Sequence, residues 1–356
     1  MKLGIVGRPK TGKTTLFNLL TRSHQSVDKF GAVRETHVGT AHVPDPRLDR
    51  LSAMFKPKKH TPATVEFVDV PGIAKGEQEK IDLSALKSVD ALVHVLRAFE
   101  DPDLPHEGGV DPARDAKALD EELVLSDYVL LEKRREKLEK ERKKNRSAEL
   151  DAEWAAIEKC LPSLEAATPL RAAGLTPEDE KRLRGFTLLS LKPLLLVVNV
   201  SDADAAAEPV ERFGLHSFAS QPHVAVARAA AKIEMELNDL PDEDVPAFLA
   251  DLGLTERGID RILRASYRLL GVQSFFTAGE DECRAWTVPV GATAVECAGT
   301  IHSDLARGFI RAEVVPVEEL LSLGGLAECR THGKLKLEGK EYVVKDGDVV
   351  HVRFNV

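Results

Sequence analysis

Short, unbroken apolar runs recur along the N-terminal part of this chain, each about as long as a strand buried on both faces. Leu3-Gly4-Ile5-Val6, Thr64-Val65-Glu66-Phe67-Val68, Ala91-Leu92-Val93-His94-Val95-Leu96, Leu194-Leu195-Leu196-Val197-Val198 and Val224-Ala225-Val226-Ala227 are of this kind. Runs without polar alternation predict parallel strands covered by helices on both sides. Thr14-Thr15-Leu16-Phe17-Asn18-Leu19-Leu20 carries an apolar face at helical spacing. From Leu119 to Leu164 the pattern changes to long charged residues around regularly spaced apolar ones. Leu150, Trp154, Ile157, Leu161 and Leu164 step by four, three, four and three, a heptad rhythm that Leu119, Leu123 and Leu130 continue on the preceding segment. With Lys143-Lys144-Asn145-Arg146-Ser147 as a tip, this predicts an antiparallel helical hairpin with arms of about 25–35 Å at 1.5 Å per residue. Gly174-Leu175-Thr176-Pro177-Glu178-Asp179-Glu180 reads as a turn and helix start that returns the chain to the first domain. Near the C-terminus, Tyr342-Val343-Val344 and Val349-Val350-His351-Val352-Arg353-Phe354 flank Lys345-Asp346-Gly347-Asp348, a hairpin signal. Trp286 and Phe309 suit the core of that small C-terminal domain. The organisation expected is an α/β domain from residues 1–117 and 174–270, a helical insertion at 118–173, and a separate domain at 271–356.

Composition narrows the class. With 356 residues and 43% hydrophobic content the chain can bury a real core. No apolar run approaches the roughly 18–20 residues that span a bilayer, so no membrane association is expected. The sequence begins on its first predicted strand, so no signal peptide is expected. Cys160, Cys283, Cys297 and Cys329 are scattered, with no C-x-x-C pair, which points to a reducing, cytoplasmic setting rather than a zinc site or disulfides. A net charge of −9 argues against indiscriminate nucleic-acid binding, and DNA is not expected as a partner. Locally the sign reverses. Lys133, Arg134, Arg135, Lys137, Lys140, Arg142, Lys143, Lys144 and Arg146 outweigh Glu132, Glu136, Glu139 and Glu141. That excess suits either RNA phosphates or a solvated helix with i,i+4 ion pairs. Arg330, His332, Lys334 and Lys336 pose the same choice on the C-terminal domain.

The chemistry begins at Gly7-Arg8-Pro9-Lys10-Thr11-Gly12-Lys13-Thr14, which fits G-x-x-x-x-G-K-[ST] between a strand and a helix. Gly7 and Gly12 let backbone N–H groups turn inward, and the helix N-terminus adds partial positive charge beneath a phosphate. Residues Arg8 to Thr15 would therefore cradle a nucleoside triphosphate. Lys13 would reach the β- and γ-phosphates, and the Thr14 hydroxyl would ligate Mg²⁺. A second signal, Asp69-Val70-Pro71-Gly72, ends a strand. In Ras-like switches such an Asp holds Mg²⁺ through water and the Gly N–H senses the γ-phosphate, so Asp69 and Gly72 join Lys13 and Thr14 as the catalytic set. His94, inside a strand run, reads as a core histidine. Asn199-Val200-Ser201-Asp202 follows a later strand, where GTPases carry N-K-x-D to read guanine, and Ala229-Ala230 follows the last strand, where backbone N–H groups border the base.

With these motifs in place the chain resembles the Obg-like ATPase (YchF-type) family of P-loop proteins. The resemblance rests on Gly7–Thr14, on Val43-Pro44-Asp45-Pro46-Arg47-Leu48-Asp49, on Glu66–Asp69 and on Leu191-Lys192-Pro193 before Asn199. Phe276–Gly279, Arg284–Thr293, Gly308–Ala312 and Val344–Val349 extend it to the C-terminus. It implies a Ras-like P-loop NTPase domain, an inserted α-helical hairpin and a C-terminal β-grasp (TGS, ubiquitin-like) domain. It also implies ATP hydrolysis, with GTP as an alternative, and association with the ribosome or ribosomal RNA through the hairpin and the TGS domain.

Several positions depart from the family pattern. Lys10 stands where the family has an Asn that helps hold K⁺; either its ammonium takes that place and makes activity independent of potassium, or the side chain merely points to solvent. The switch threonine aligns with Val33; Thr36 is the nearest hydroxyl and is the candidate third Mg²⁺ ligand after a register change. The loop after Gly72 is short. Ile73 replaces the water-orienting Gln of Ras-like enzymes, as is usual in this family, so hydrolysis without a partner should be slow; even with that Gln the intrinsic Ras rate is only on the order of 10⁻⁴ s⁻¹. Arg8 is either an internal cation for the reaction or a solvated loop residue. Asp202 stands where ATP-preferring relatives have Glu, which favours guanine, while Val200 removes the lysine stem that flanks the base in GTPases. The two substitutions pull in opposite directions, and the overall resemblance favours ATP. An adaptor that binds nucleotide without hydrolysing it remains the alternative.

Overall fold

A computed structural model describes residues 1–23, 36–70, 72–75, 78–81, 83–104, 106, 108–241 and 243–355, with 72–75 and 78–81 described as strand backbone. Within them the strands and helices are numbered in chain order. The chain divides into two compact units, Met1–Thr40 with Glu66–Leu269, and Ala41–Val65 with Leu270–Val356.

The first unit is built on a six-stranded sheet in the order β2-β4-β1-β7-β8-β9. Its strands are β1 (Lys2–Val6), β2 (His37–His42), β4 (Thr64–Asp69), β7 (Ala91–Ala98), β8 (Leu194–Val200) and β9 (Val224–Ala229). β4, β1, β7, β8 and β9 run parallel, in registers that set Val6 beside His94 and Asn199 beside both Arg97 and Ala229. Every residue of β7 and β8 is buried, which is why these strands read as continuous apolar runs. Helices α1 (Lys13–Thr21), α8 (Ala231–Asp239) and α10 (Gly258–Leu269) pack together, with α10 along β9. A core of Val6, Val68, Leu92, Leu96, Leu196, Val198 and neighbours fills the sheet toward α3 (Pro112–Lys144), with α6 (Pro209–Arg212), α7 (His216–Ala219) and α9 (Val245–Asp251) around it. β5 (Gly72–Lys75) and β6 (Gln78–Ile81) form a separate antiparallel pair directly after β4.

α3 and α4 (Ala148–Glu165) make the helical hairpin, capped at the turn by the Ser147 side chain, which accepts from Leu150 N. α3 has 33 residues, about 50 Å of helix, longer than the spacing of leucines alone predicts because it starts upstream at Pro112 behind an Asp111 cap. Leu131, Leu138, Ile157, Leu161 and Leu164 form the seam. The hairpin's base is tied down where the Asp127 carboxylate accepts from Leu189 N at 2.9 Å and from Ser190 N and Oγ at 2.7 Å each. α5 (Pro177–Leu183) then starts in a capping box between Thr176 and Asp179.

The second unit holds a six-stranded sheet in the order β13-β12-β14-β10-β11-β3. Its strands are β3 (Lys59–Thr61), β10 (Val272–Ala278), β11 (Glu282–Pro289), β12 (Phe309–Pro316), β13 (Lys336–Glu338) and β14 (Asp348–Phe354). The last strand lies in the middle, parallel to β10 and antiparallel to β12, with α11 (Ala294–Ile301) packed on the sheet, a β-grasp arrangement. α12 (Ser303–Arg307), α13 (Val317–Leu323) and α14 (Leu326–Thr331) link the strands. The expected hairpin across Lys345–Asp348 does not form. β14 takes β12 and β10 as partners, and the segment before the turn makes only an isolated bridge, Val343 to Thr293. Gly347 N bonds to Ser274 O instead, and the Asp348 carboxylate accepts from Lys345 N and Tyr342 Oη, so the turn is closed by side chains and by β10. Phe309 is buried and Trp286 packs at the edge of the same core, its indole donating to Thr277 Oγ1 at 3.0 Å.

Residues 41–65, read from the sequence with the nucleotide-binding domain, group with this second unit. β3 extends its sheet by pairing with β11, and α2 (Pro46–Phe55) is held by Arg47, whose guanidinium bridges Asp45 and Asp346 at 2.8 and 2.7 Å. Two carboxylates raise the Arg47 pKa well above the usual arginine range despite burial. Neither signal is visible as a local pattern, because Asp346 and β11 lie more than two hundred residues away in sequence.

Candidate functional site

The loop from Gly7 to Gly12 joins β1 to α1 at the carboxyl edge of the parallel sheet, where open α/β sheets bind ligands. Its two glycines are required by geometry. At Gly7, φ is +146° and a Cβ would come within 2.5 Å of the Val95 carbonyl. At Gly12, φ is +94° and a Cβ would sit 2.3 Å from Asn199 Nδ2. Lys10 also lies in the left-handed region, at φ +61°, and its side chain is exposed. Thr11 Oγ1 donates to Arg8 O at 2.9 Å, which closes the loop on itself.

Lys13 is buried, 6% exposed, and its ammonium donates to Gly7 O at 2.8 Å and Arg8 O at 2.7 Å. A phosphate oxygen is a stronger partner for that ammonium than a neutral carbonyl. No acidic residue of α1 itself occupies its first turn, so the helix does not neutralise the positive end of its own dipole. Thr14 Oγ1 donates to Asp69 Oδ2 at 3.0 Å, joining the start of α1 to the end of β4. A hydroxyl beside a carboxylate is a hard-oxygen pair that suits Mg²⁺ completed by phosphate and water. Among the described residues no group of three or more His, Cys, Asp or Glu side chains gathers to hold a metal without such help. Thr36 is exposed just before β2, and Gly72 opens β5. Val33 and the Ile73 side chain lie outside the described residues.

Asn199 is the second anchor of the site. It is 3% exposed; its Nδ2 donates to Thr11 O at 2.9 Å and its Oδ1 accepts from Ala231 N at 3.1 Å. One side chain therefore ties the phosphate loop to Ala231 just after β9; Ala229, the last residue of that strand, and Ala230 are buried beside it. The side chain of Val200 is buried in the apolar core. Asp202 starts a short 3-10 turn, half exposed, and Lys232 Nζ donates to it at 3.3 Å. Pro9 and Thr15 are partly buried.

Arg8 is not simply solvated. Its Nε lies 3.5 Å from Asp115 Oδ1 at the start of α3, and the same carboxylate accepts from Arg114 and, at 2.9 Å, meets His106 Nε2. Burial opposes ionisation of Asp115, but bonds from His106 and Arg114 and the charge of Arg8 keep its pKa below the ordinary range. His94 is a core residue, pushed down to about 3 chiefly by burial, and stays neutral at physiological pH. Sequence reasoning missed the His106–Asp115–Arg8 cluster and Arg97. Arg97 is fully buried at the end of β7, bonded through Nε to Phe99 O at 3.0 Å and stacked over the Phe99 ring. Its position directly after the apolar run was the available signal.

On the hairpin, the basic excess is largely paired. Arg134 bonds Glu153 at 2.6 Å, and Arg142 and Arg146 share Asp151 at 2.6 and 2.8 Å. On the C-terminal unit Arg330 pairs with Glu313 and Lys334 with Glu319.

Residues 2–134 match a family described as 50S ribosome-binding GTPase, and residues 272–355 match the YchF-GTPase C-terminal family, described as a protein of unknown function. The chain is 42% identical to the "Ribosome-binding ATPase YchF" of Bacillus subtilis over 363 aligned residues, covering 99% of each. It is 39% identical to the protein of the same name from Escherichia coli O157:H7, covering 100% of this chain and 99% of that one. The solved structure titled "Structure of the Schizosaccharomyces pombe YchF GTPase" superposes with a TM-score of 0.87 at 30% identity, covering 99% of this chain and 97% of that one.

Proposed function

This chain belongs to the YchF family, and from that premise we propose that it is a ribosome-associated P-loop NTPase that binds Mg²⁺ with ATP and turns over slowly until a partner engages it. The observation that carries this reading is the convergence of Lys13, Thr14 and Asp69 at one end of the sheet, with Asn199 locking the loop that bears them. Loop amides and the Lys13 ammonium would neutralise the triphosphate, and Thr14 with Asp69 would hold the metal ion. Bound Mg²⁺ would neutralise charge on the β- and γ-oxygens. Asp202 is the base reader on this proposal, and its carboxylate leaves GTP as a second substrate. The relatives named above are ribosome-binding ATPases, which supports the ribosome as the partner. Lys133, Lys140 and Lys144 are exposed on the hairpin and are its proposed contact with ribosomal RNA. A ribosomal partner supports a cytoplasmic role. No helix among the described residues is long and apolar enough to cross a membrane.

Single-turnover hydrolysis of radiolabelled ATP and GTP, with and without purified ribosomes, tests the proposal. Acceleration by ribosomes that Lys13→Ala removes is the expected result. Tight nucleotide binding with no cleavage under either condition would replace it with the non-hydrolysing adaptor.

A further inference from the structure

β9 is the terminal strand of the first unit's sheet, and a groove of about 750 Å³ runs beside it. Val224, Ala225 and Val226, consecutive residues whose side chains alternate between the two sheet faces, all line it, so the groove follows the strand's edge rather than a face. Val224 and Val226 pack on the core toward α3, while Gly258 at the start of α10 meets Ala229 on the opposite face. The facing wall is one side of α10: Arg261, Arg264, Ala265 and Arg268, at i, i+3, i+4 and i+7. The other side of that helix, Ile259, Ile262, Leu263 and Tyr267, is buried.

The wall is positively charged in a chain of net charge −9. Glu256 pairs with Arg261 at 3.0 Å and also with Arg264. Arg268 is exposed and has no acidic partner among the described residues. Two guanidinium groups thus share one carboxylate, and a third beside them has none. Arg264 is held below the usual arginine range by burial and by the repulsion of Arg268, and Arg261 is lowered by burial. An incoming anion relieves that crowding.

We propose that this groove binds an extended acidic segment of a partner protein, which adds a strand to the free edge of β9 and sets its carboxylates against the arginines of α10. Strand addition takes affinity from main-chain bonds and specificity from alternate side chains. Here the apolar residues Val224, Val226 and Leu269 accept one set of side chains and the arginines the other. Nucleic acid fits less well. No Phe, Tyr or Trp lines the groove, whose lining offers a base only the imidazole of His223 to stack on, and a sugar–phosphate backbone gains nothing from an apolar floor.

A fluorescein-labelled nine-residue peptide alternating glutamate and valine, titrated into the full chain by fluorescence anisotropy, tests this. Saturable binding is expected, with protection of the outward-facing amides of Val224 and Val226 from hydrogen exchange. N-methylation of alternate peptide amides, or replacement of glutamate by lysine, should each weaken binding at least about tenfold, because the first removes main-chain bonds and the second reverses the charge match. Arg268→Gln alone, at an exposed position that leaves the fold intact, should weaken it severalfold, and Arg264→Gln with Arg268→Gln further. Equal affinity for the methylated peptide, or for the double variant, would overturn the proposal. So would Arg268-dependent binding of a twelve-base-pair RNA duplex with none of the peptide, which would reassign the groove to phosphate.

Discussion

Gly12→Ala tests how the phosphate loop is held. The substitution meets two separate obstacles. The backbone at Gly12 has φ +94°, where a Cβ costs about 1–2 kcal/mol. The new methyl would also lie 2.3 Å from Asn199 Nδ2, so the Asn199 amide must move. Moving it breaks the bonds to Thr11 O and from Ala231 N, at about 1–3 kcal/mol for each buried group left unsatisfied. The combined cost is therefore about 3–8 kcal/mol, more than enough to disorder the loop locally, and affinity for Mg·ATP should fall at least about a hundredfold. Asn199→Ala alone removes the same two bonds but leaves the backbone relaxed. In that background the added methyl meets no amide, and Gly12→Ala should cost only its backbone strain of about 1–2 kcal/mol. A double-mutant cycle read by calorimetric titration with a non-cleavable ATP analogue should give a coupling of at least about 1 kcal/mol, since distant independent sites add to within about 0.5 kcal/mol. Additive losses, or a Gly12→Ala variant that binds as the wild type does, would refute the reasoning.

Other consequences are equally direct. Asp127→Ala leaves the amides of Leu189 and Ser190 unsatisfied at the hairpin's base; at about 1–3 kcal/mol each, their hydrogen exchange should accelerate strongly while nucleotide affinity holds. Asp179, bonded to Lys159 and Thr176, is lowered to about 2 from an ordinary 3.8, so its contribution is full above pH 3.8 and lost as pH falls toward 2. The wild type should therefore lose stability at the α4–α5 junction across that window relative to Asp179→Asn, which circular dichroism against pH would read. Lys10, exposed beside the loop, should make turnover insensitive to exchange of Na⁺ for K⁺; a severalfold rise in K⁺ would contradict this. Asp202→Glu should lower GTP affinity about tenfold and leave ATP binding nearly unchanged, as competition titrations would show, because a hydrogen bond to a charged group is worth about 1.5–3 kcal/mol.

The parallel sheet and the phosphate loop were legible because their causes are local. Strands buried on both faces must be apolar throughout, and Gly7 and Gly12 sit where φ is positive and the space for a Cβ is already taken. The heptad leucines of the hairpin are local in the same sense, although they understate α3, whose first turns pack on the sheet's core through Ala116 and Leu119 rather than on α4. What could not be read depends on long-range pairing. β3 is three residues of unremarkable composition until β11 pairs with it. Asp346-Gly347 carries the composition of a hairpin turn, yet β14 pairs with β12 and β10, and no local signal encodes that choice. In the site, Asn199 was found by its place after a strand, but its two bonds to Thr11 and Ala231 were not foreseeable. The His106–Asp115–Arg8 cluster was invisible because its members have no fixed spacing.

Lys13 and the loop that carries it are the proposed receptor for polyphosphate. Equilibrium titration of the full chain with Mg²⁺ and a non-cleavable ATP analogue, in the wild type and in Lys13→Ala, measures this most directly. Saturable one-to-one binding that weakens at least about tenfold in the variant is predicted, the loss of a charge-assisted bond being worth about 1.5–3 kcal/mol. Equal affinity in the two proteins, or no binding of ATP or GTP analogues by the wild type, would contradict it.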